Sequence, residues 1–255
     1  MIRKFLNIGN KKISYLDNEK IGQPLICIHG HFGCASMFTF MNEVHSGRLL
    51  LIDQRGHGLS DHFETYKTND YVNDLDELLI NLNIKDPILL GHSLGGVNSY
   101  HYASLKQNIK ALIIEDIGTE VNCSNEFILK MPREFNSLYE VENSFKKIGM
   151  TFESYFIESI RYDGLKWRFL FDYEGMVESQ KEMNGNHWKN WIKIDCPILL
   201  LHGSKSWACK TENVKEMAEM NKNVMLKIYE GIGHTLHDED RDRFTSDVSQ
   251  FLNKI

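Results

Sequence analysis

Ile88-Leu89-Leu90-Gly91-His92-Ser93-Leu94-Gly95-Gly96 runs from an apolar stretch of strand length into a helical pattern. Its centre reads glycine, any residue, serine, any residue, glycine, the spacing of a nucleophile elbow. At so sharp a strand-to-helix turn, bulky residues two positions either side of the serine would collide, and Gly91 and Gly95 relieve that collision. Ser93 Oγ is then expected above the sheet edge. The N-terminal N–H groups of the following helix point at the same spot, where they favour a developing oxyanion. The helix face Val97, Tyr100, Ala103 and Ser104 supplies the context that separates this motif from a mere glycine-rich helix entry.

Outward from the elbow, short apolar runs recur at 24–28, 49–52, 87–90, 111–114, 197–201 and 224–229. Most are apolar on both faces, as buried parallel strands are. Helical patterns at 35–44, 70–82, 94–105, 211–220 and 240–252 separate or follow them. Two further strands, 4–8 and 12–16, meet at Gly9-Asn10, which reads as a hairpin turn. The alternation predicts an α/β fold, a mostly parallel doubly wound sheet with ligand chemistry at the carboxyl ends of its strands.

Residues 117–193 break the rhythm. The stretch is too long for a simple crossover and offers no convincing strand. It holds Phe127, Phe135, Tyr139, Phe152, Tyr155, Phe156, Trp167, Phe169, Phe171, Tyr173, Trp188 and Trp191. A helical cap over the sheet's active edge is expected, inserted into a core made of residues 1–116 and 194–255. Most of these aromatics should fill the cap itself and a few should face a pocket.

Composition narrows the function class. The 255 residues are 42% hydrophobic and 25% charged, as in ordinary globular proteins. The 29 basic against 35 acidic residues give a net charge of −6, which opposes nucleic-acid binding. Five cysteines without regular spacing suggest a reducing compartment rather than a disulfide framework. The first residues form no apolar signal core, and no stretch approaches the roughly 20 apolar residues that span a bilayer. A cytoplasmic protein without a membrane span is expected.

Four motifs follow successive strands. They are His29-Gly30-His31-Phe32-Gly33, then Asp53-Gln54-Arg55-Gly56-His57-Gly58-Leu59-Ser60, then the elbow, and last Gly231-Ile232-Gly233-His234. In this order they resemble the α/β-hydrolase superfamily, more narrowly its capped esterase-like members, and the resemblance covers essentially the whole chain. It implies Ser93 as nucleophile and His234 as base. It also implies an oxyanion hole made of the backbone N–H groups of His31 and Leu94, with Phe32 the alternative to His31. The Asp53–Ser60 stretch looks like the family's structural turn, so its Asp and Arg take no catalytic role. His57 and His92 are read as motif residues with satisfied side chains. His237, beside Asp238, Glu239 and Asp240, is read as part of a solvated helix start rather than a metal site.

The third triad member is displaced. Family members usually carry it after the strand that here is 197–201, in a Gly-x-x-Asp pattern. This chain has His202-Gly203-Ser204-Lys205-Ser206 there, with serine in the acid's place. Some members carry the acid at the end of the sixth strand, where this chain has Glu115 and Asp116. The carboxylate only has to accept the Nδ1–H of His234, so either loop can supply it. Asp116 is favoured over Glu115, which would alternate to the opposite side of the strand. Ser206 would then hydrogen-bond Asp116 or His234. The resemblance implies a serine hydrolase of small-molecule acyl esters, with no cofactor or metal. Thioesterase, lactonase, carbon–carbon bond hydrolase and perhydrolase activities remain open, as does a ligand-sensing signalling role on the same fold.

Overall fold

The computed structural model describes residues 1–150 and 154–255, so Phe152 lies outside the described residues. The strands are β1 (Ile2–Ile8), β2 (Lys11–Asp17), β3 (Leu25–Ile28), β4 (Leu49–Ile52), β5 (Ile88–His92), β6 (Ala111–Glu115), β7 (Glu120–Val121), β8 (Ile160–Tyr162), β9 (Trp167–Phe169), β10 (Gly185–Asn186), β11 (Ile198–Gly203) and β12 (Val224–Tyr229). The α-helices are α1 (Met41–Val44), α2 (Thr68–Asn81), α3 (Leu94–Lys106), α4 (Leu138–Lys147), α5 (Ser154–Glu158), α6 (Tyr173–Met183), α7 (Trp188–Trp191), α8 (Thr211–Met220), α9 (Leu236–Glu239) and α10 (Arg241–Leu252).

Eight strands form one sheet in the order β1-β2-β4-β3-β5-β6-β11-β12. The pairings from β4 through β12 are parallel, and β1 and β2 join antiparallel at one edge. β3, β4, β5, β6 and β11 are fully buried because both sheet faces are covered. Leu25, Leu49, Leu51, Leu90, Ile113 and Leu199 pack on one side, while Ile26, Leu50, Leu89, Leu112, Ile114 and Leu200 pack on the other. The strand period of two thus sorts near-continuous apolar runs into two cores. β12, at the sheet edge, is only half-buried apart from Tyr229.

The described residues of 117–193 contribute no strand to this sheet. Contrary to the strand-free reading of the sequence, they contain β7 paired with β10 and β8 paired with β9. These strands are two or three residues long, too short to display alternation. The aromatics Phe135, Phe145, Phe169 and Phe171 merge with the core on one sheet face instead of forming a separate one, and Trp191 packs on the other. The helix expected over 35–44 is two pieces, a 3₁₀ turn at Ala35–Phe38 and α1, because Cys34 offers no side-chain cap and the turn closes on Thr39. The last helix begins one residue later than expected because the Asp240 side chain caps it, accepting from Arg243 N–H. Among the described residues no helix is long and apolar enough to cross a membrane.

Candidate active site

β5 ends in the elbow. Ser93 sits at φ 51° and ψ −115°, a strained conformation for a residue with a Cβ. The turn is held by Ser93 N–H donating to Glu115 O at 3.0 Å and Val97 N–H donating to Ser93 O at 3.0 Å. Gly95 is required by close approach, since a Cβ there would collide with the Ile28 carbonyl of the neighbouring strand and lie 2.7 Å from the His29 carbonyl. Ser93 Oγ makes no hydrogen bond within the described residues. It lines a cavity of about 960 Å³ together with His31, His92, Tyr155, Trp207 and His234. The N–H groups of His31, Phe32 and Leu94 likewise have no protein partner among the described residues.

The loop after β12 delivers His234, whose Nδ1 lies 2.6 Å from Asp116 Oδ2. A carboxylate only accepts, so Nδ1 carries the proton and Nε2 is left bare. His234 and Ser93 border the same cavity without a hydrogen bond between them. Such contacts are commonly loose until substrate is bound. Asp116 leaves β6 at φ 50° and takes four hydrogen bonds from nitrogen and oxygen donors, besides a long one from Cys209 Sγ at 3.9 Å. Oδ1 accepts from His202 Nδ1 and Gly203 N–H, each at 2.9 Å, and Oδ2 accepts from Ser206 Oγ at 2.5 Å and from His234. Burial works to raise its pKa, but the hydrogen bonds of His202 and His234 outweigh it and hold the carboxyl below the usual range. Ser206, at the position where the resemblance expects an acid, thus contacts Asp116.

Glu115 faces the other way. Its carboxylate accepts from the backbone N–H of His237 at 2.9 Å and from His237 Nδ1 at 2.7 Å. Consecutive carboxylates at the end of β6 therefore hold two different histidines of one loop. His237 is fully buried against Phe38 and His92, not part of a solvated helix start. The acidic run that suggested solvation belongs to its neighbours. Burial disfavours its charged form, yet the attraction and hydrogen bond of Glu115, aided by Asp238 and opposed by Arg241, leave its pKa above the ordinary value. The resulting stabilisation is fully present below the unfolded pKa of about 6.5 and is lost as pH rises through the folded value. We expect the thermal midpoint to fall as pH rises above about 6.5, and the fall to flatten in His237→Gln. Parallel melting curves for both proteins across that range would remove the pair from the pH dependence.

His57 also departs from the sequence reading. Its Nδ1 meets Arg55 O at 2.9 Å, but buried Nε2 has no partner among the described residues. Burial and the neighbouring His29 and His31 push its pKa well down, so the ring stays neutral and the orphaned nitrogen carries no charge. His31, lowered to about 3 chiefly by burial, is neutral too. Asp53 accepts from Ser14 Oγ, Arg3 and Ala35 N–H, and Arg55 grips Asp74, so both organise loops. Asp116, His202 and Cys209 bring an oxygen, a nitrogen and a sulfur within 4.8 Å of one another, the one arrangement of metal-ligand type found among the described residues. Asp116 and His202 already satisfy each other, and burial pushes the Cys209 thiol well up, against the thiolate a metal would need.

Sequence reasoning missed His202 and Tyr155. His202 could have been found from register, since Leu201 pairs with Glu115 and so sets His202 beside Asp116. Tyr155 gave no local signal among so many aromatics.

Residues 44–241 match the family described as serine aminopeptidase, S33. A Bacillus subtilis (strain 168) protein, provisionally named a 2-succinyl-6-hydroxy-2,4-cyclohexadiene-1-carboxylate synthase, is 28% identical over 94% of this chain and 93% of its own length. A Haemophilus influenzae protein, provisionally named an esterase/lipase, is 25% identical over 100% of this chain and 90% of its own length. The crystal structure of E-2-(acetamidomethylene)succinate hydrolase shares the fold, with a TM-score of 0.85 at 19% identity and 99% of each chain covered. With the sheet order and the ordered motifs, these findings establish that the chain is an α/β hydrolase belonging to the serine aminopeptidase S33 family.

Proposed function

We propose that this chain is a cytoplasmic serine hydrolase that cleaves uncharged carboxylic esters through an acyl-enzyme, with residues 117–193 acting as its cap. The observation that carries the reading is the contact of His234 Nδ1 with Asp116 in a loop that shares one cavity with Ser93. Asp116 holds the proton on Nδ1, leaving a bare Nε2 that shares one cavity with Ser93 Oγ. Ser93 Oγ attacks the ester carbonyl carbon as its proton passes to His234 Nε2. The oxyanion forms against the N–H groups of His31 and Leu94. Collapse breaks the carbon–oxygen bond to the alcohol, which leaves with the proton from His234. Water then attacks the acyl-enzyme with His234 as base, and the acid departs. Five free cysteines support a reducing compartment.

The cavity walls speak to the substrate. Phe32, Phe127, Met150, Phe156 and Met183 supply apolar surface, and Asp238 and Glu239 stand on the border. No lysine or arginine lines it among the described residues, and positions 151–153 are Thr, Phe and Glu in sequence. A buried substrate carboxylate would have no cation to meet, which disfavours substrates like the carboxylates and succinate in the relatives' names.

Nitrophenyl esters of increasing acyl length should be hydrolysed, a fluorophosphonate should label Ser93, and Ser93→Ala should abolish both. Nitrophenyl butyrate should exceed the mono-nitrophenyl ester of succinate by about 100-fold in kcat/KM, because desolvating an unpaired carboxylate costs on the order of 3 kcal/mol. An unlabelled Ser93 sinks the enzyme reading. Ligand-induced stabilisation without turnover would then favour the sensing role. Equal rates on the two four-carbon esters would sink the uncharged-substrate reading.

A further inference from the structure

Tyr155, on α5, reaches the chemistry without belonging to any of the four motifs. Its hydroxyl lies 2.8 Å from Gly30 N and 3.2 Å from His92 Nδ1. His92 Nε2 in turn lies 3.0 Å from the His234 carbonyl oxygen. These contacts fix the direction of every proton. Gly30 N–H can only donate, so the phenol oxygen accepts it and the phenol proton is free for another acceptor. The His234 carbonyl can only accept, so His92 carries its proton on Nε2. Burial and the nearby His234 and His237 keep His92 neutral, leaving Nδ1 bare to receive the Tyr155 proton. The order is Gly30 N–H to Tyr155 O–H to His92 Nδ1, then His92 Nε2–H to the His234 carbonyl.

The space is shaped for this hydroxyl. A Cβ at Gly30 would stand 2.7 Å from the Tyr155 oxygen and 2.9 Å from His92 Nδ1, and one at Gly33 would stand 2.8 Å from the same oxygen. The glycines of the His29–Gly33 turn thus admit a side chain from residues 117–193 as well as the backbone turn itself. On the opposite flank, Ser179 of α6 lies 2.9 Å from His31 Nε2.

We infer that Tyr155 is a positioning residue: its hydroxyl ties the residue before the His31 oxyanion donor to the loop that carries His234, through His92. This rests on the serine-esterase reading above and adds to it that residues 117–193 hold the catalytic geometry as well as roofing the cavity. The chain of hydrogen bonds fixes the spacing between oxyanion donor and base, which matters for the transition state and little for substrate binding.

Tyr155→Phe removes one oxygen and keeps the ring. Its kcat on nitrophenyl butyrate should fall about tenfold, below the roughly 10² to 10³ of losing an oxyanion donor outright, with KM within about threefold of the parent. 3-Fluorotyrosine at position 155 retains the hydroxyl and should restore kcat. His92→Leu breaks the chain from its other side, should also lower kcat at constant KM, and serves if Tyr155→Phe does not fold. The double variant should be no slower than the slower single one. Full kcat in either single variant, or effects that multiply in the double, overturns the inference. If the parent itself is not labelled by fluorophosphonate, the serine reading has failed; a labelled parent with an unaffected Tyr155→Phe fails this inference alone.

Discussion

Asp116→Asn is expected to lower kcat by about 10² to 10⁴-fold while leaving KM nearly unchanged, as loss of the acid does in other triads. The cause is donor arithmetic. Four nitrogen and oxygen donors converge on the carboxylate, from His202, Gly203, Ser206 and His234. An asparagine has only one acceptor atom. If its oxygen stays with His202 and Gly203, its NH₂ faces His234 Nδ1 and forces the imidazole proton onto Nε2, where the ring can no longer accept from Ser93. Ser206→Ala removes one donor of the four and should cost less than about tenfold. Glu115→Gln acts on His237, not on His234, so its kcat loss should be far smaller than that of Asp116→Asn. Steady-state kinetics on a nitrophenyl ester decide the matter: a nearly active Asp116→Asn beside a dead Glu115→Gln reverses the assignment. Asp116 also adds an acid-side dependence. Its lowered folded pKa means that its contribution to stability is present above about pH 3.9 and is lost as pH falls through the folded value.

Gly203→Ala is expected to destabilise the fold by on the order of 3 kcal/mol, since the collision is between backbones and no rotamer relieves it. The new Cβ would strike the Gly233 carbonyl and lie 2.6 Å from that of Ile232. For a chain of this size that corresponds to a fall of about 6–12 °C in Tm. The same displacement moves the His234 loop away from β11, whose Gly203 N–H binds Asp116, so kcat should drop in the protein that still folds. Calorimetry and activity on one sample test both parts. A Tm within a degree of the parent's would show that the two loops are not in contact as described.

The parts of the fold that sequence displays are those with a local signature. β3, β4, β5, β6 and β11 are apolar at successive positions because both faces are covered, and the elbow is readable because its glycine–serine–glycine pattern is complete within five residues. Alternation along β6 puts Glu115 and Asp116 on opposite sides, and the two carboxylates bind different histidines. What Glu115 binds was not legible, because His237 lies 122 positions away among acidic neighbours whose pattern suggests solvent. His57 gave a similar false lead: a motif position implied a satisfied ring, while packing against His29 and His31 leaves one nitrogen without a partner among the described residues. Between 117 and 193 the difficulty is length. Strands of two or three residues carry no period, and Tyr155 matters only through Gly30 and His92, both more than 60 residues away.

The place of the carboxylate has one more consequence. The loop after β11 reaches Asp116 through Ser206, and its tip lies one residue further on. Trp207, 70% exposed, fills part of that tip with its ring centroid 4.6 Å from that of His234, and it forms part of the cavity wall. It makes no hydrogen bond to the triad. Exchanging this single side chain would reshape the cavity wall, and with it the molecules the cavity admits, while leaving the hydrogen bonds of Asp116 in place.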